Sequence, residues 1–96
     1  MHLLLVHYLR PLDEVDTQLE AHRNFLDVYY QHGTFVVSGP RDERGLGGVI
    51  LARAIAEEEL QGIIATDPFV RHGLARYEII PFRVTKHVPG FETYLD

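Results

Sequence analysis

The sequence predicts an α+β fold with elements in the order β-α-β-β-α-β. Four short runs rich in apolar and β-branched residues are typical of strands: HLLLVHYL (2–9), TFVVSGP (34–40), LGGVILARA (46–54) and ARYEIIPFRV (75–84). Two segments with helical spacing of apolar residues separate the first strand from the second and the third from the fourth. This order is typical of a ferredoxin-like fold, with both helices on one face of a four-stranded antiparallel sheet.

The helices are predicted from the spacing of their apolar residues. The first carries a stripe at intervals of three and four, formed by Val15, Leu19, His22, Leu26 and Tyr29. It should run for about five turns, from a cap at Asp13 to near Gly33. The second, residues 56–66, places acidic residues in its first turn, where the helix dipole favours them. Between the middle strands, the polar turn RDERG and the glycines of RGLGG predict a tight hairpin.

The strands are apolar on both faces, which predicts that a second layer covers the sheet. Alternation places Leu3, Leu5 and His7 on one face and Leu4, Val6 and Tyr8 on the other. An antiparallel sheet with one wet face shows polar residues at every second position instead. We therefore expect a homodimer whose two sheets pack face to face as a dimeric α+β barrel. The aromatic C-terminal tail, residues 83–96, is a candidate for reaching the partner.

Composition limits the classes of function. The 96 residues fit a single domain, 1–96, with 46% hydrophobic and 24% charged residues. Net charge is −5 without a basic stripe, which argues against nucleic acid, and no apolar run approaches the roughly 20 residues of a membrane span. The chain has no cysteine, which excludes disulfides and thiolate chemistry and fits a cytoplasmic protein.

His22 is the most informative candidate for chemistry, because it lies within the apolar stripe of the first helix. One interpretation is a core histidine bonded to the backbone, which residue type and position favour when taken alone. The other is a general acid or base, since imidazole titrates near neutral pH and works best with its second nitrogen held by a carboxylate.

Asp67, in the stretch TDPFVRHG, is the candidate carboxylate. Asp followed by Pro is a favoured helix N-cap, so Asp67 has a purely structural interpretation. The fold adds a second one, because the first helix and the end of the second lie on the same side of the sheet. The carboxylate can therefore face its own helix, face His22, or divide its oxygens between them.

Other motifs are weaker. Ser38, Gly39 and Pro40 close the second strand, either as a bend or as the wall of a pocket, and no Gly-x-Ser-x-Gly elbow surrounds the serine. The six histidines show no paired ligand spacing, so we expect no metal, although a site assembled from distant residues is left open. Arg71 and His72 fit a solvated turn better than an anion site.

The segments AHRNFL, FVVSGP, DPFVRHGL and YEIIPF, taken in order, resemble the YCII-related (YciI-like) family from about residue 2 to residue 83. The resemblance implies a ferredoxin-like fold, a dimeric α+β barrel and a histidine–aspartate pair at His22 and Asp67. It also points to Ser38, Gly39, Pro40 and Phe69 as pocket residues. Relatives that act as lyases on small aromatic compounds make a lyase or isomerase an expectation.

The sequence is compatible with two functions. The first is a small acid–base enzyme without a cofactor, acting on a small cyclic or aromatic substrate through His22 and Asp67. The second is a non-catalytic module that binds a small ligand or serves as a dimerisation domain. An open cavity beside the imidazole would favour the enzyme, whereas a pair sealed from water would favour a structural role.

Overall fold

The fold of the computed structural model, which describes residues 1–95 except for the side chain of Arg44, is the predicted α+β arrangement. The last residue of the predicted tail lies outside the described residues. Four antiparallel strands form one sheet in the order β2-β3-β1-β4. They are β1 (His2–Tyr8), β2 (Phe35–Pro40), β3 (Gly47–Ala52) and β4 (Ala75–Pro81). The predicted hairpin is present, because β2 pairs with β3.

The first predicted helix is in fact two helices, α1 (Leu12–Asp16) and α2 (Leu19–Gln31). The break lies at Thr17, whose hydroxyl donates to the Glu14 carbonyl at 2.6 Å. The next backbone N–H, that of Gln18, bonds to Val15 three residues back, which tightens the last turn of α1 and ends it. The predicted cap at Asp13 is also wrong, since Pro11 holds the N-cap position.

The second predicted helix is α3 (Glu57–Ile64), and it is followed by a short helix, α4 (Pro68–Arg71). Three glutamates occupy the first turn of α3, as the helix dipole favours. Asp67 is the N-cap of α4 and Pro68 is its first residue, as the sequence predicts. The turn between α3 and α4 therefore places the Asp67 side chain at the helix layer.

The core lies between the helices and one face of the sheet. Its members are buried apolar residues from every layer: Leu4, Val6, Val15, Phe25, Phe35, Ile50, Ala52, Leu60, Ile64, Phe69, Leu74 and Ala75. Leu4, Val15 and Leu60 have no exposed surface. Because they are contributed by β1, α1 and α3, the two halves of the chain share one core.

The opposite face of the sheet is apolar and uncovered in the single chain. We call it the open face. Strand register places six apolar residues on it: Leu3, Leu5, Val37, Val49, Leu51 and Ile80. Val37 is 56% exposed and Ile80 38% exposed. A polar pair also lies there, since His7 Nε2 is 2.9 Å from Glu78 Oε1.

After β4 the chain continues without a strand or a helix longer than four residues up to residue 95. Only a 3₁₀ turn, Phe91–Tyr94, interrupts it. The fourth strand is shorter than predicted: it ends at Pro81, although Phe82 still exchanges backbone hydrogen bonds with Met1. Within the described chain, no helix is both long and apolar enough to cross a membrane.

Gly47 begins β3 in a conformation that only glycine adopts readily. Its φ is +134°, and a Cβ built there would lie 1.7 Å from the carbonyl oxygen of Val6. Because β1 and β3 are the two central strands, this close contact between Gly47 and Val6 lies in the middle of the sheet. The glycines of RGLGG therefore serve the hairpin, as the sequence predicts.

We predict that Gly47→Ala destabilises the protein by at least about 2 kcal/mol, since the new methyl group must displace backbone. Chemical denaturation at a fixed protein concentration measures the change. Gly62→Ala is the matched control, because a Cβ at this position in α3 meets no atom within 4 Å. Gly62→Ala should raise stability by about 0.5–1 kcal/mol. Equal stability of the Gly47 variant and the wild type would contradict this account of β3.

Candidate functional site

The carboxylate of Asp67 lies at the centre of the site, with no exposed surface. Its Oδ1 accepts the backbone N–H of Phe69 at 2.9 Å, which is the helix cap. The same oxygen lies 2.9 Å from Nδ1 of His22. Its Oδ2 accepts the hydroxyl of Tyr77 at 2.5 Å. Asp67 thus faces both its own helix and His22, and it has a third partner in β4.

His22 reaches Asp67 from the first turn of α2. Because a carboxylate oxygen only accepts, Nδ1 carries a hydrogen and Nε2 is the free nitrogen of the neutral ring. Nε2 has no hydrogen bond to any described residue. The imidazole stacks on Phe69, with ring centroids 4.0 Å apart and planes 6° apart. One carboxylate and one aromatic face therefore fix both the tautomer and the orientation of the ring.

A cavity of about 150 Å³ opens beside the imidazole, between α2 and the β2–β3 edge of the sheet. Its walls include His22 and all four residues that the sequence assigned to a pocket: Ser38, Gly39, Pro40 and Phe69. Asp67 lies behind His22 and does not line the cavity. A volume near 150 Å³ accommodates a benzene-sized ring. The side chain of His22 is 12% exposed, so the ring borders the cavity without facing bulk solvent.

Ser38 lines the cavity, but it is not paired with the histidine. Its hydroxyl lies 2.5 Å from the hydroxyl of Tyr30, which comes from the last turn of α2. A serine nucleophile needs a base within hydrogen-bond reach, and Tyr30 is no such base. The hydroxyl pair is better suited to holding a polar atom of a ligand at the wall formed by β2.

Tyr77 is a site residue that sequence reasoning missed. Its pKa is raised far above the ordinary value by burial, by the negative charge of Asp67 and by the hydrogen bond to Asp67. The phenol therefore remains a neutral donor. One feature of the sequence could have indicated it: side-chain alternation along β4 places Tyr77, with Ala75 and Ile79, on the face that packs against the helices.

Several other polar residues lie elsewhere. His2 is buried, and its Nε2 lies 3.1 Å from the Ile55 carbonyl oxygen. His7 lies on the open face of the sheet. Arg71 and His72 are exposed and outside the cavity. Among the described residues, no three His, Cys, Asp or Glu side chains converge on a point that suits a metal ion.

This geometry defines a small ferredoxin-like protein with a ligand-sized cavity and an oriented imidazole between its sheet and its helices. Residues 1–83 match the model of the YCII-related domain, and the chain belongs to that family.

Among solved structures, the chain resembles 5-chloro-2-hydroxyhydroquinone dehydrochlorinase from Burkholderia phenoliruptrix in complex with 2,5-dihydroxybenzoquinone. The TM-score is 0.67 at 22% identity, over 86% of this chain and 94% of that one. The likeness confirms the fold. No curated protein matches the chain significantly by sequence.

We predict that Tyr77→Phe lowers the free energy of unfolding by about 1–3 kcal/mol, because Oδ2 of the buried Asp67 loses its donor. The size of the loss should also depend on pH. The folded-state pKa of Tyr77 is raised, so its contribution is complete below the unfolded value of about 10 and is lost as the pH rises above it. The variant should therefore lose less stability than the wild type above about pH 10.

Denaturant titrations from neutral to alkaline pH measure both effects. Tyr94→Phe serves as the control, since Tyr94 is 41% exposed and its hydroxyl bonds to no described residue. It should leave stability and its pH dependence unchanged. A Tyr77 variant as stable as the Tyr94 variant would contradict the assigned hydrogen bond.

Proposed function

We propose that the protein is a cytoplasmic, cofactor-independent acid–base enzyme of the lyase or isomerase type, acting on a small cyclic or aromatic compound. One observation carries the proposal: an imidazole with Nδ1 bound to a buried carboxylate lies in the wall of a ring-sized cavity. In the proposed reaction, His22 moves the proton and Asp67 stabilises the imidazolium that forms. The family match and the dehydrochlorinase neighbour support the lyase class.

An elimination requires mainly a proton acceptor, and His22 can supply one. Nε2 of His22 takes a proton from the substrate, and the electron pair left behind forms a new double bond. A leaving group departs with its own bonding pair, so no electron acceptor is required. In an isomerisation, the same nitrogen returns the proton to another atom. Ser38, Gly39, Pro40 and Phe69 would hold the ring beside the imidazole.

The rival function is non-catalytic ligand binding. The stacking of His22 on Phe69 and the three donors to Asp67 also suit a purely structural pair that completes a cavity wall. The two functions differ at one atom. A catalyst uses Nε2, whereas a structural histidine uses only Nδ1 and the ring face.

His22→Asn separates these functions, because the asparagine amide can replace the Nδ1 donor to Asp67 but has no Nε2. We predict that turnover of chlorinated hydroquinones falls by roughly a hundredfold to ten-thousandfold. Chloride release and quinone absorbance measure it, and circular dichroism checks the fold. His72→Asn, outside the cavity, should retain full activity. Unchanged turnover in a folded His22→Asn protein would exclude His22 as the proton carrier.

We further propose that the active form is a homodimer joined through the open face. That face holds six apolar residues, each of them at least partly exposed in the single chain. A second copy would bury this surface sheet to sheet, as the family resemblance implies. The C-terminal tail, exposed along most of residues 82–95, is available to reach the partner.

Leu5→Lys tests the dimer, since Leu5 lies on β1 in the middle of the open face. We predict that the wild type sediments as a dimer at micromolar concentration and that Leu5→Lys sediments as a folded monomer, because a buried lysine charge is costly. Val28→Lys, an equal change on an exposed position of α2, should remain dimeric. A monomeric wild type would disprove this assembly.

A further inference from the structure

The cavity beside His22 has an unusual charge for this protein. The chain carries 14 acidic and 9 basic residues. Yet among the described side chains that line the cavity, none is a carboxylate, and the one permanent charge is the guanidinium of Arg23. Asp67 is hidden behind the imidazole with no exposed surface. A ligand entering the cavity therefore meets positive charge in an otherwise acidic protein.

Arg23 is placed to act on a ligand rather than on the protein. It follows His22 directly on α2 and is exposed, so it lies at the mouth while the imidazole lies further in. Within the described chain, the side chain of Arg23 forms no hydrogen bond and no ion pair. Arg10 is different, since it binds Glu14 through two nitrogens at 3.2 and 3.0 Å. The donors of Arg23 are thus left for a group from outside.

The rest of the cavity limits what that group can be. Its volume of about 150 Å³ fits one small ring, and the apolar wall includes Leu19, Leu26, Ile50 and Phe69. A guanidinium binds a carboxylate or a pair of ring oxygens through two parallel hydrogen bonds. A nucleotide polyphosphate needs several cationic or backbone donors and far more room. A single anionic group on one ring fits both the charge and the size.

We propose that Arg23 binds the anionic group of the substrate, which is a small ring bearing a carboxylate or an enol or phenol ionised at neutral pH. The guanidinium holds that group at the mouth, and the ring lies against Phe69 within reach of Nε2 of His22. When His22 removes a proton, the substrate gains negative charge close to Arg23, which favours the transfer. This inference rests on the proposed function, because it assigns the substrate class of the same cavity.

Two isosteric probes test the charge directly: 2,5-dihydroxybenzoate, which is anionic, and 2,5-dihydroxybenzamide, which is neutral. Titration calorimetry on the full chain should show the carboxylate binding about tenfold or more tightly, as expected for charge-assisted hydrogen bonds. High salt should reduce that difference, since Arg23 is exposed. Equal affinity for the two probes, or no detectable binding of the carboxylate, would overturn the proposal.

Variants of two arginines test whether the preference for the carboxylate probe depends on Arg23. Arg23→Gln should abolish the preference for the carboxylate without changing the affinity for the amide, and Arg23→Lys should retain part of it. Arg71→Gln removes the same charge from an exposed position outside the cavity, and it should keep the full preference. An Arg23→Gln protein that keeps the preference, or an Arg71→Gln protein that loses as much, would overturn the assignment to Arg23.

His22→Asn distinguishes this inference from the proposed reaction. It should keep the carboxylate preference while losing turnover. If it keeps turnover, the acid–base function fails and the role of Arg23 in binding still stands on the probe data. If turnover is lost but Arg23→Gln binds both probes as the wild type does, the substrate class fails and the function of His22 stands.

Discussion

The buried carboxylate of Asp67 is the constraint on which the arrangement of the helix layer depends. A charge without solvent contact is costly unless several donors satisfy it. Asp67 has three, and they come from α2, from α4 and from β4. A shift of any one of these elements would leave the carboxylate short of a donor. The same three bonds therefore link α2 and α4 to β4 and orient the imidazole beside the cavity.

The sequence predicted the fold well, because the order of elements follows from local patterns. Hairpin chemistry around Gly47 and the stripe of α2 need no knowledge of distant residues. It also predicted that His22 faces inward and that Asp67 caps a helix, since both depend on neighbours along the chain. The choice between a structural and a shared role for Asp67 could not be made locally. It depends on α2 lying close to α4, which is a property of the packed layer.

The features that the sequence could not predict depend on competing hydrogen bonds or on residues that are far apart in the chain. The break between α1 and α2 arises because the Thr17 hydroxyl competes for a helix carbonyl, although the apolar stripe runs through it. Tyr77 belongs to the site only because β4 is paired to β1, with Tyr77 opposite Val6. In the sequence, nothing distinguishes Arg23 from other surface arginines. It becomes a candidate only because it borders a cavity whose described walls contain no carboxylate. Each of these facts exists only in three dimensions.

The stacking of His22 on Phe69 has a consequence for the stereochemistry of the proposed reaction. The planes of the imidazole and the Phe69 ring lie 6° apart and Nδ1 is bonded to Asp67, so these two contacts fix the orientation of the imidazole. The Asp67 side of the ring is closed to solvent, so a proton collected at Nε2 can leave only through the cavity that delivered it. A substrate held in that cavity presents one face to Nε2. An isomerisation by this protein would therefore be suprafacial, with the hydrogen removed from and restored to the same side of the ring.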